Sequence, residues 1–130
     1  MTTVLTAAEV LFIHARLVSE TGGEHGVHDI GLLQSAVARP QATFDGRELY
    51  PDPFQKAAAL MHSLAQNHPF VDGNKRTAIT SAALFLLRNG WQLQTTNEAL
   101  EQFTLSVTNG RLVVAEIAAW FQNNSLPSKN

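Results

Sequence analysis

The chain has 130 residues, and its nine Lys and Arg against eleven Asp and Glu give a formal net charge of −2. This length suits one domain with its own core, and the absence of cysteine excludes disulfides and zinc–thiolate sites. The scattered basic residues argue against a nucleic acid partner. The N-terminus has no basic leader-like region and the longest apolar run, 82–87, is too short to span a bilayer. We therefore expect a soluble, cytoplasmic protein with no membrane partner.

Two helices are predicted before residue 42. The run Thr6-Ala7-Ala8-Glu9 is a capping box, so the first helix is predicted to begin there and to continue to about Glu20. Asp29 is a suitable cap for a second helix, which Pro40 ends.

Segment 42–50 interrupts the helical pattern. Its Asp-Gly turn lies between short β-compatible arms, which predicts a hairpin. A plain surface connection between two helices explains the pattern equally well, so both interpretations stay open. The residues concerned are Thr43, Phe44, Asp45, Gly46 and Arg47.

A third helix is predicted from Asp52, with Pro53 in its first turn. Apolar residues recur at three- and four-residue spacing from Phe54 to Leu64, and His68 continues this buried stripe at or just past the helix end. A histidine titrates near neutral pH and can take a proton from a hydroxyl, so His68 is a candidate general base.

The segment 68–77 then places an anion site before the next helix. Gly73 allows the backbone to approach a ligand, and Asn74 is a suitable N-cap for a helix whose first amides lack intrahelical acceptors. Lys75 adds a point charge and Arg76 a planar fork that can grip two phosphate oxygens. We assign these four residues to phosphate binding.

Asp72 is an acid in an otherwise basic segment. One carboxylate together with substrate oxygens is the usual way in which Mg²⁺ is held, so Asp72 is predicted to be a magnesium ligand.

A structural role for each residue of segment 68–77 is the alternative, because a histidine at a helix end and charges at a helix start are common. The joint presence of base, metal ligand and cations favours a phosphoryl-transfer site. Two roles are open to Thr77, capping of the helix and contact with phosphate, and we favour the first, structural role.

Four further histidines lie outside this segment. His25 and His28 fall in a loop, where a metal role would need a third ligand that the sequence does not offer. His14 and His62 lie within predicted helices, where we expect ordinary polar or packing roles.

The C-terminal half is also predicted to be helical. The helix 75–89 is apolar on nearly every side, which indicates a central position in the fold. A short extended piece, 91–94, precedes helices over 95–107 and 112–121. The polar tail, 123–130, is expected to be frayed.

The run His68-Pro69-Phe70-Val71-Asp72-Gly73-Asn74-Lys75-Arg76 resembles the signature loop of the Fic/Doc superfamily, His-Pro-Phe-x-Asp/Glu-Gly-Asn-Gly/Lys-Arg. Lys75 makes it similar to the Doc, or death-on-curing, branch of toxins. The resemblance implies an all-α fold: a Fic-fold orthogonal helical bundle with a short β-hairpin flap. It covers a single domain, 1–122, with the motif loop at 68–77, the flap at 42–50 and the tail 123–130 outside it.

The resemblance also implies an activity. A Doc-like toxin kinase would transfer the γ-phosphate of ATP to a threonine hydroxyl of the translation factor elongation factor Tu and so arrest translation. His68 would be the catalytic base, Asp72 would hold Mg²⁺, and residues 73–76 would bind ATP. The flap would dock the target segment by strand addition.

Two alternatives remain. The commoner Fic chemistry is transfer of AMP to a protein hydroxyl, but Lys75 replaces a glycine of that pattern and Ile79 replaces a second arginine. The other alternative is a non-catalytic phosphate- or peptide-binding helical module.

Many Fic proteins carry a restraining helix with the pattern Ser/Thr-x-x-x-Glu. The residues four before each glutamate of this chain are Leu5, Arg16, Glu20, Phe44, Gln94, Asn97 and Leu112. None is Ser or Thr, so we expect a separate antitoxin protein that acts in trans. The resemblance to the Doc branch implies that this partner is a small protein whose disordered C-terminal segment folds on binding.

Overall fold

Six α-helices dominate the structure, a computed structural model that describes residues 2–129. The helices are α1 (Ala7–Thr21), α2 (Ile30–Ala38), α3 (Pro53–Asn67), α4 (Asn74–Arg88), α5 (Asn97–Thr108) and α6 (Val114–Asn123). Two antiparallel pairs of short strands join them: β1 (Thr43–Phe44) with β2 (Arg47–Glu48), and β3 (Trp91–Leu93) with β4 (Ser125–Pro127). The all-α prediction is confirmed. Within residues 2–129, no helix is both long enough and apolar enough to cross a bilayer.

The helix starts follow the local sequence signals. At α1 the Thr6 hydroxyl accepts a hydrogen bond from the Glu9 amide at 3.1 Å, and the Glu9 carboxylate accepts one from the Thr6 amide at 3.0 Å. Asp29 caps α2, and Asp52 caps α3 by accepting a hydrogen bond from the Gln55 amide at 2.8 Å. Side-chain oxygens satisfy amides that have no intrahelical acceptor, which fixes where these helices begin.

The central helix is α3, and the prediction that α4 occupies this position is wrong. Ten of the fifteen residues of α3 are buried, and it packs against α2, α4, α5 and α6. Four buried positions of α3 have the small side chain of alanine, so neighbouring helices pack closely against it from several sides. These positions are 57, 58, 59 and 65. α4 is apolar, but Leu87 is 47% exposed, and one side of this helix faces solvent.

The C-terminal tail is part of the fold, which corrects the expectation that it is frayed. β4 pairs with β3 in the register Trp91↔Pro127, Gln92↔Leu126 and Leu93↔Ser125. Two further backbone hydrogen bonds extend the ladder, from Gln94 to Asn124 and from Ser128 to Gly90. After α6 ends, the chain returns beside β3, and the ladder satisfies its backbone groups.

The β1–β2 hairpin confirms one of the two interpretations of segment 42–50. Thr43 pairs with Glu48 and Phe44 with Arg47, around a turn in which Asp45 and Gly46 have φ values of 52° and 76°. Positive φ at both central residues defines the turn type that matches the twist of a tight hairpin. All five predicted flap residues, 43–47, are exposed, and Phe44 is 70% exposed.

Two basic side chains, of which Lys56 is buried and Arg39 is partly buried, anchor the base of the hairpin to α3. The Lys56 side chain is 3% exposed, and its ammonium contacts the Glu48 carboxylate at 2.7 Å and donates to the Pro40 carbonyl at 3.1 Å. Arg39 donates to the Tyr50 hydroxyl at 3.1 Å and to His62 Nδ1 at 2.8 Å. The hairpin tip therefore projects from a fixed base.

The free energy of unfolding is expected to fall on acidification because of His62. Burial first, and then the charge of Arg39, lower the pKa of His62 below its ordinary value of 6.5. The unfolded chain therefore binds the proton more readily, and the stability that neutral His62 contributes is present above pH 6.5 and is lost progressively as pH falls from 6.5 through the lower pKa of the folded state. Urea unfolding at pH values of about 7.5 and 5.5 should show a smaller pH effect in His62→Gln than in the parent. An equal pH effect in both proteins would contradict this assignment.

Candidate active site

His68 lies immediately after α3 and is exposed. Its backbone is left-handed, with φ 49° and ψ 57°, a conformation that histidine adopts more readily than most residues. This turn ends α3 and takes the imidazole off the buried face of the helix. The prediction that His68 continues the buried stripe is therefore wrong, and the exposed position is the one that a base acting on a substrate needs.

Gly73 provides the sharp entry to α4. Its φ is 79°, and a Cβ at this position would lie 3.3 Å from Val18 Cγ2 and 3.5 Å from His14 Cδ2. Glycine is therefore favoured twice, because the backbone is left-handed and because α1 is close. Gly73 is also the N-cap residue of α4, in the position predicted for Asn74.

Asn74 closes the loop instead of capping the helix, which corrects its predicted structural role. It is the first residue of α4, and its side chain reaches back to Phe70. Its Oδ1 accepts from the Phe70 amide at 3.0 Å, and its Nδ2 donates to the Phe70 carbonyl at 2.9 Å. These two bonds fix the turn between His68 and α4, while Phe70 itself is buried.

Backbone amides orient the carboxylate of Asp72. Its Oδ1 accepts from the Gly73 amide at 3.1 Å, and its Oδ2 accepts from the Glu24 amide at 3.2 Å. The neighbouring Gly23 has φ 114°, and a Cβ there would lie only 2.8 Å from Oδ2. The side chain is exposed and keeps lone pairs for a further ligand.

A second loop holds the signature loop in place. Val27 forms an antiparallel bridge with Phe70, the Val71 amide donates to the Gly26 carbonyl at 3.1 Å, and the His28 amide donates to the Pro69 carbonyl at 2.7 Å. The loop between α1 and α2 thus lies beside residues 69–72. The sequence carries no pattern that predicts this contact, because isolated bridges have no periodicity.

The predicted chemistry-bearing residues meet in one cleft of about 450 Å³. Thr77 is fully buried and does not line it, in agreement with a structural role. The flap residues do not line it either. The cleft is lined by His68, Val71, Asp72, Gly73, Asn74, Lys75 and Arg76, with Leu17, Val18, Thr21 and Gly22 from α1 and its end.

The electrostatics of this cleft favour an anion. Lys75 and Arg76 are exposed, and neither forms an ion pair with an acid among residues 2–129. The first amide N–H groups of α4 point toward the N-terminal end of the helix and lack intrahelical acceptors. A phosphate group at this position would meet two cationic side chains and a helix N-terminus together.

The other histidines have separate roles. His14 is buried and contacts the signature loop, a role that the packing prediction for it did not include. His25 lies near the Ser19 hydroxyl, and residues 2–129 contain no cluster of three or more His, Cys, Asp or Glu that could hold a metal ion.

Comparison with known proteins identifies the family of the chain. The family model described as Fic/DOC matches residues 4–86, and the chain belongs to the Fic/DOC family. A protein named Toxin Doc from Mycolicibacterium smegmatis is 54% identical over 90 residues, which are 69% of this chain and 62% of that protein. Protein kinase doc from Escherichia phage P1 is 34% identical over 114 residues, 88% of this chain and 89% of that protein. These relatives place the chain in the Doc branch.

The aligned part of the chain thus spans less than two thirds of the length of the Mycolicibacterium relative but most of the phage relative. The signature loop and the helices on either side of it lie mainly within residues 4–86. The family match therefore includes every residue predicted for the site and the flap.

Proposed function

We propose that this protein is a Doc-type toxin kinase that transfers the γ-phosphate of ATP to a threonine hydroxyl of elongation factor Tu in the cytoplasm. The observation that carries the proposal is the cleft in which exposed His68 faces the same space as Asp72 and the cationic start of α4. The name of the phage relative, Protein kinase doc, supports the same class of reaction.

In this proposal His68 takes the proton of the target hydroxyl. The hydroxyl oxygen then forms a bond to the γ-phosphorus, the bond from that phosphorus to the β–γ bridging oxygen breaks, and ADP leaves. Arg76, Lys75 and the first amides of α4 stabilise the charge on the phosphate oxygens. Gly73 and Asn74 set the backbone that presents these amides.

The donor set at Asp72 fits Mg²⁺. This ion is usually held by one or two carboxylates together with phosphate oxygens and water, and Asp72 is the one acid that lines the cleft among the described residues. Bound Mg²⁺ would neutralise phosphate charge during transfer. The amides of Glu24 and Gly73 hold the carboxylate of Asp72 in a fixed direction toward such a ligand.

Substituting Gly23→Ala should weaken magnesium binding because a methyl group at this position collides with Asp72 Oδ2. Gly90→Ala is the matched control: Gly90 has φ 91° and open space around its Cβ position. Both variants should lose roughly 1–2 kcal/mol of unfolding free energy through left-handed strain. Only Gly23→Ala should require more Mg²⁺ for half-maximal ATP binding. An unchanged magnesium requirement in Gly23→Ala would show that Gly23 does not position Asp72.

The arrangement around Lys75 favours γ-phosphate transfer over AMP transfer. Lys75 and Arg76 separate the main cleft from a second cleft of about 310 Å³ between α4 and α5, and Ile79 lines that second cleft. An isoleucine there cannot grip phosphate oxygens as a second arginine would. The cationic contacts are therefore concentrated at Lys75 and Arg76, which supports the proposal that the γ-phosphate of ATP lies next to His68.

We further propose an antitoxin that restrains the protein in trans. The absence of a Ser/Thr-x-x-x-Glu pattern from these 130 residues supports this idea, and so do the relatives named as Doc toxins. Expression of the chain alone in a bacterial host should stop growth, and co-expression of the small reading frame beside its gene should restore it. Harmless expression of a chain that is fully active when purified would contradict restraint in trans.

The reaction class is tested with ATP labelled at either the γ- or the α-phosphate. The purified protein and a bacterial lysate are incubated with each label, with His68→Ala as the control. Label from the γ-position on one protein, absent with His68→Ala, is the expected result. Label from the α-position would identify an AMP transferase, and no transfer from either position would indicate a binding module.

A further inference from the structure

His14 lies on α1, outside the signature loop, yet it is in contact with that loop. Its side chain is buried, with 3% of the residue exposed, on the face of α1 that also carries Val10 and Val18. We propose that His14 is a positioning residue that fixes the backbone of the signature loop for binding of phosphate and metal. The proposal rests on the proposed function.

One imidazole ring contacts two residues of the loop and lies beside a third. Nε2 lies 2.7 Å from the Asp72 carbonyl oxygen; a carbonyl only accepts, so Nε2 carries the hydrogen and donates it. The ring stacks on Phe70 at a centroid distance of 3.8 Å and an interplanar angle of 7°. Its Cδ2 would lie 3.5 Å from a Cβ at Gly73. His14 therefore packs directly beneath the turn that starts α4.

The hydrogen bond from His14 determines the orientation of a peptide unit of the site. The Asp72–Gly73 peptide is planar and trans, so its N–H points away from its C=O. The bond from His14 holds the Asp72 carbonyl toward α1, so the Gly73 N–H points away from α1. There it donates to Asp72 Oδ1 at 3.1 Å. Rotation of this peptide would break the bond from His14 and the bond to the Asp72 carboxylate together. His14 thereby couples the loop backbone to the direction of the predicted magnesium ligand.

A simple packing role makes a different prediction. If His14 only filled space, a phenylalanine would replace it well, because a flat ring would still stack on Phe70. If the donated hydrogen bond matters, His14→Phe should alter the loop, whereas His14→Gln retains an N–H donor for the Asp72 carbonyl. Val10→Ala is the matched control, since Val10 is fully buried one turn earlier on the same face of α1.

Two measurements separate these roles: the calorimetric affinity for ATP with Mg²⁺, and NMR hydrogen exchange of the amides of residues 72–76 in the ligand-free protein. His14→Phe should weaken affinity about two- to tenfold, the effect of one hydrogen bond on an equilibrium. Its loop amides should exchange faster than those of the parent. His14→Gln should restore most of the affinity, and Val10→Ala should lose stability while it retains the affinity and the exchange rates of the loop.

Parental affinity and exchange in His14→Phe would overturn the proposal. An equal loss in Val10→Ala, or no recovery in His14→Gln, would overturn it too, because the effect would then follow from packing. If the parent itself does not bind ATP with Mg²⁺, the proposed function fails, and the exchange rates alone still decide whether His14 positions the loop.

Discussion

His68→Ala is expected to abolish growth inhibition and phosphate transfer while leaving the fold intact. A general base within reach of its proton commonly contributes about 10²–10⁴ to a rate. The side chain of His68 is exposed, so its removal costs little packing. Both quantities, the rate of label transfer and the free energy of unfolding, are measured on the same preparation. Transfer of the label should be lost, whereas the free energy of unfolding should be nearly unchanged.

His28→Ala is the matched control for that experiment. His28 is exposed, lies in the loop beside the signature loop, donates its backbone amide to the Pro69 carbonyl, and does not line the cleft. The variant should remain toxic. A folded His68→Ala protein with full toxicity would contradict the catalytic assignment, and so would an equal loss of toxicity in His28→Ala.

Arg76→Ala is expected to weaken ATP binding and phosphate transfer together. The guanidinium is exposed in the cleft without an acidic partner among the described residues, so it is available for phosphate oxygens. Charge-assisted hydrogen bonds are stronger than neutral ones, and loss of the fork should lower ATP affinity about 10- to 100-fold. Arg76→Lys should recover only part of this loss, because an ammonium cannot form the bidentate contact.

Arg111→Ala serves as the control for a lost surface charge. Arg111 is exposed in the turn between α5 and α6 and does not line the cleft. Its removal should leave ATP affinity unchanged. Parental affinity in both Arg76 variants, or an equal loss in Arg111→Ala, would assign Arg76 a structural role.

Local sequence signals predicted most of the helices. Capping residues such as Thr6 and Asp29 satisfy amides within the same short segment, so the sequence contains the whole interaction. The Asp45-Gly46 turn is equally local, which explains why the hairpin could be predicted without knowledge of the rest of the fold.

Features that depend on distant partners were not predicted. β4 is only three residues long, and its stability comes from β3, more than thirty residues earlier in the chain. The central position of α3 also depends on its neighbours. Its alanines indicate a helix, but only the packing of α4 and α6 against it shows that they are buried on several sides.

The same distinction holds for the candidate site: residues close together in the sequence were predicted, and residues that act on it from distant segments were not. His68, Asp72 and the predicted phosphate-binding residues 73–76 lie within nine consecutive residues, and all of them line one cleft. The roles of Gly23, Glu24 and His14 were not predicted, because each acts on Asp72 from about fifty to sixty residues away. One signal was available for His14: it falls between Val10 and Val18 on a buried helix face, where a histidine needs a hydrogen-bond partner.

The most direct test of the central claim is the mass of the adduct formed on the proposed target. Purified elongation factor Tu is incubated with this protein, ATP and Mg²⁺, and the product is examined by intact-protein and peptide mass spectrometry. The expected product carries one added phosphate on a threonine, and this phosphate is absent when His68→Ala replaces the parent. An added AMP, or an unmodified target in the presence of a protein that arrests translation in a lysate, would contradict the proposed function.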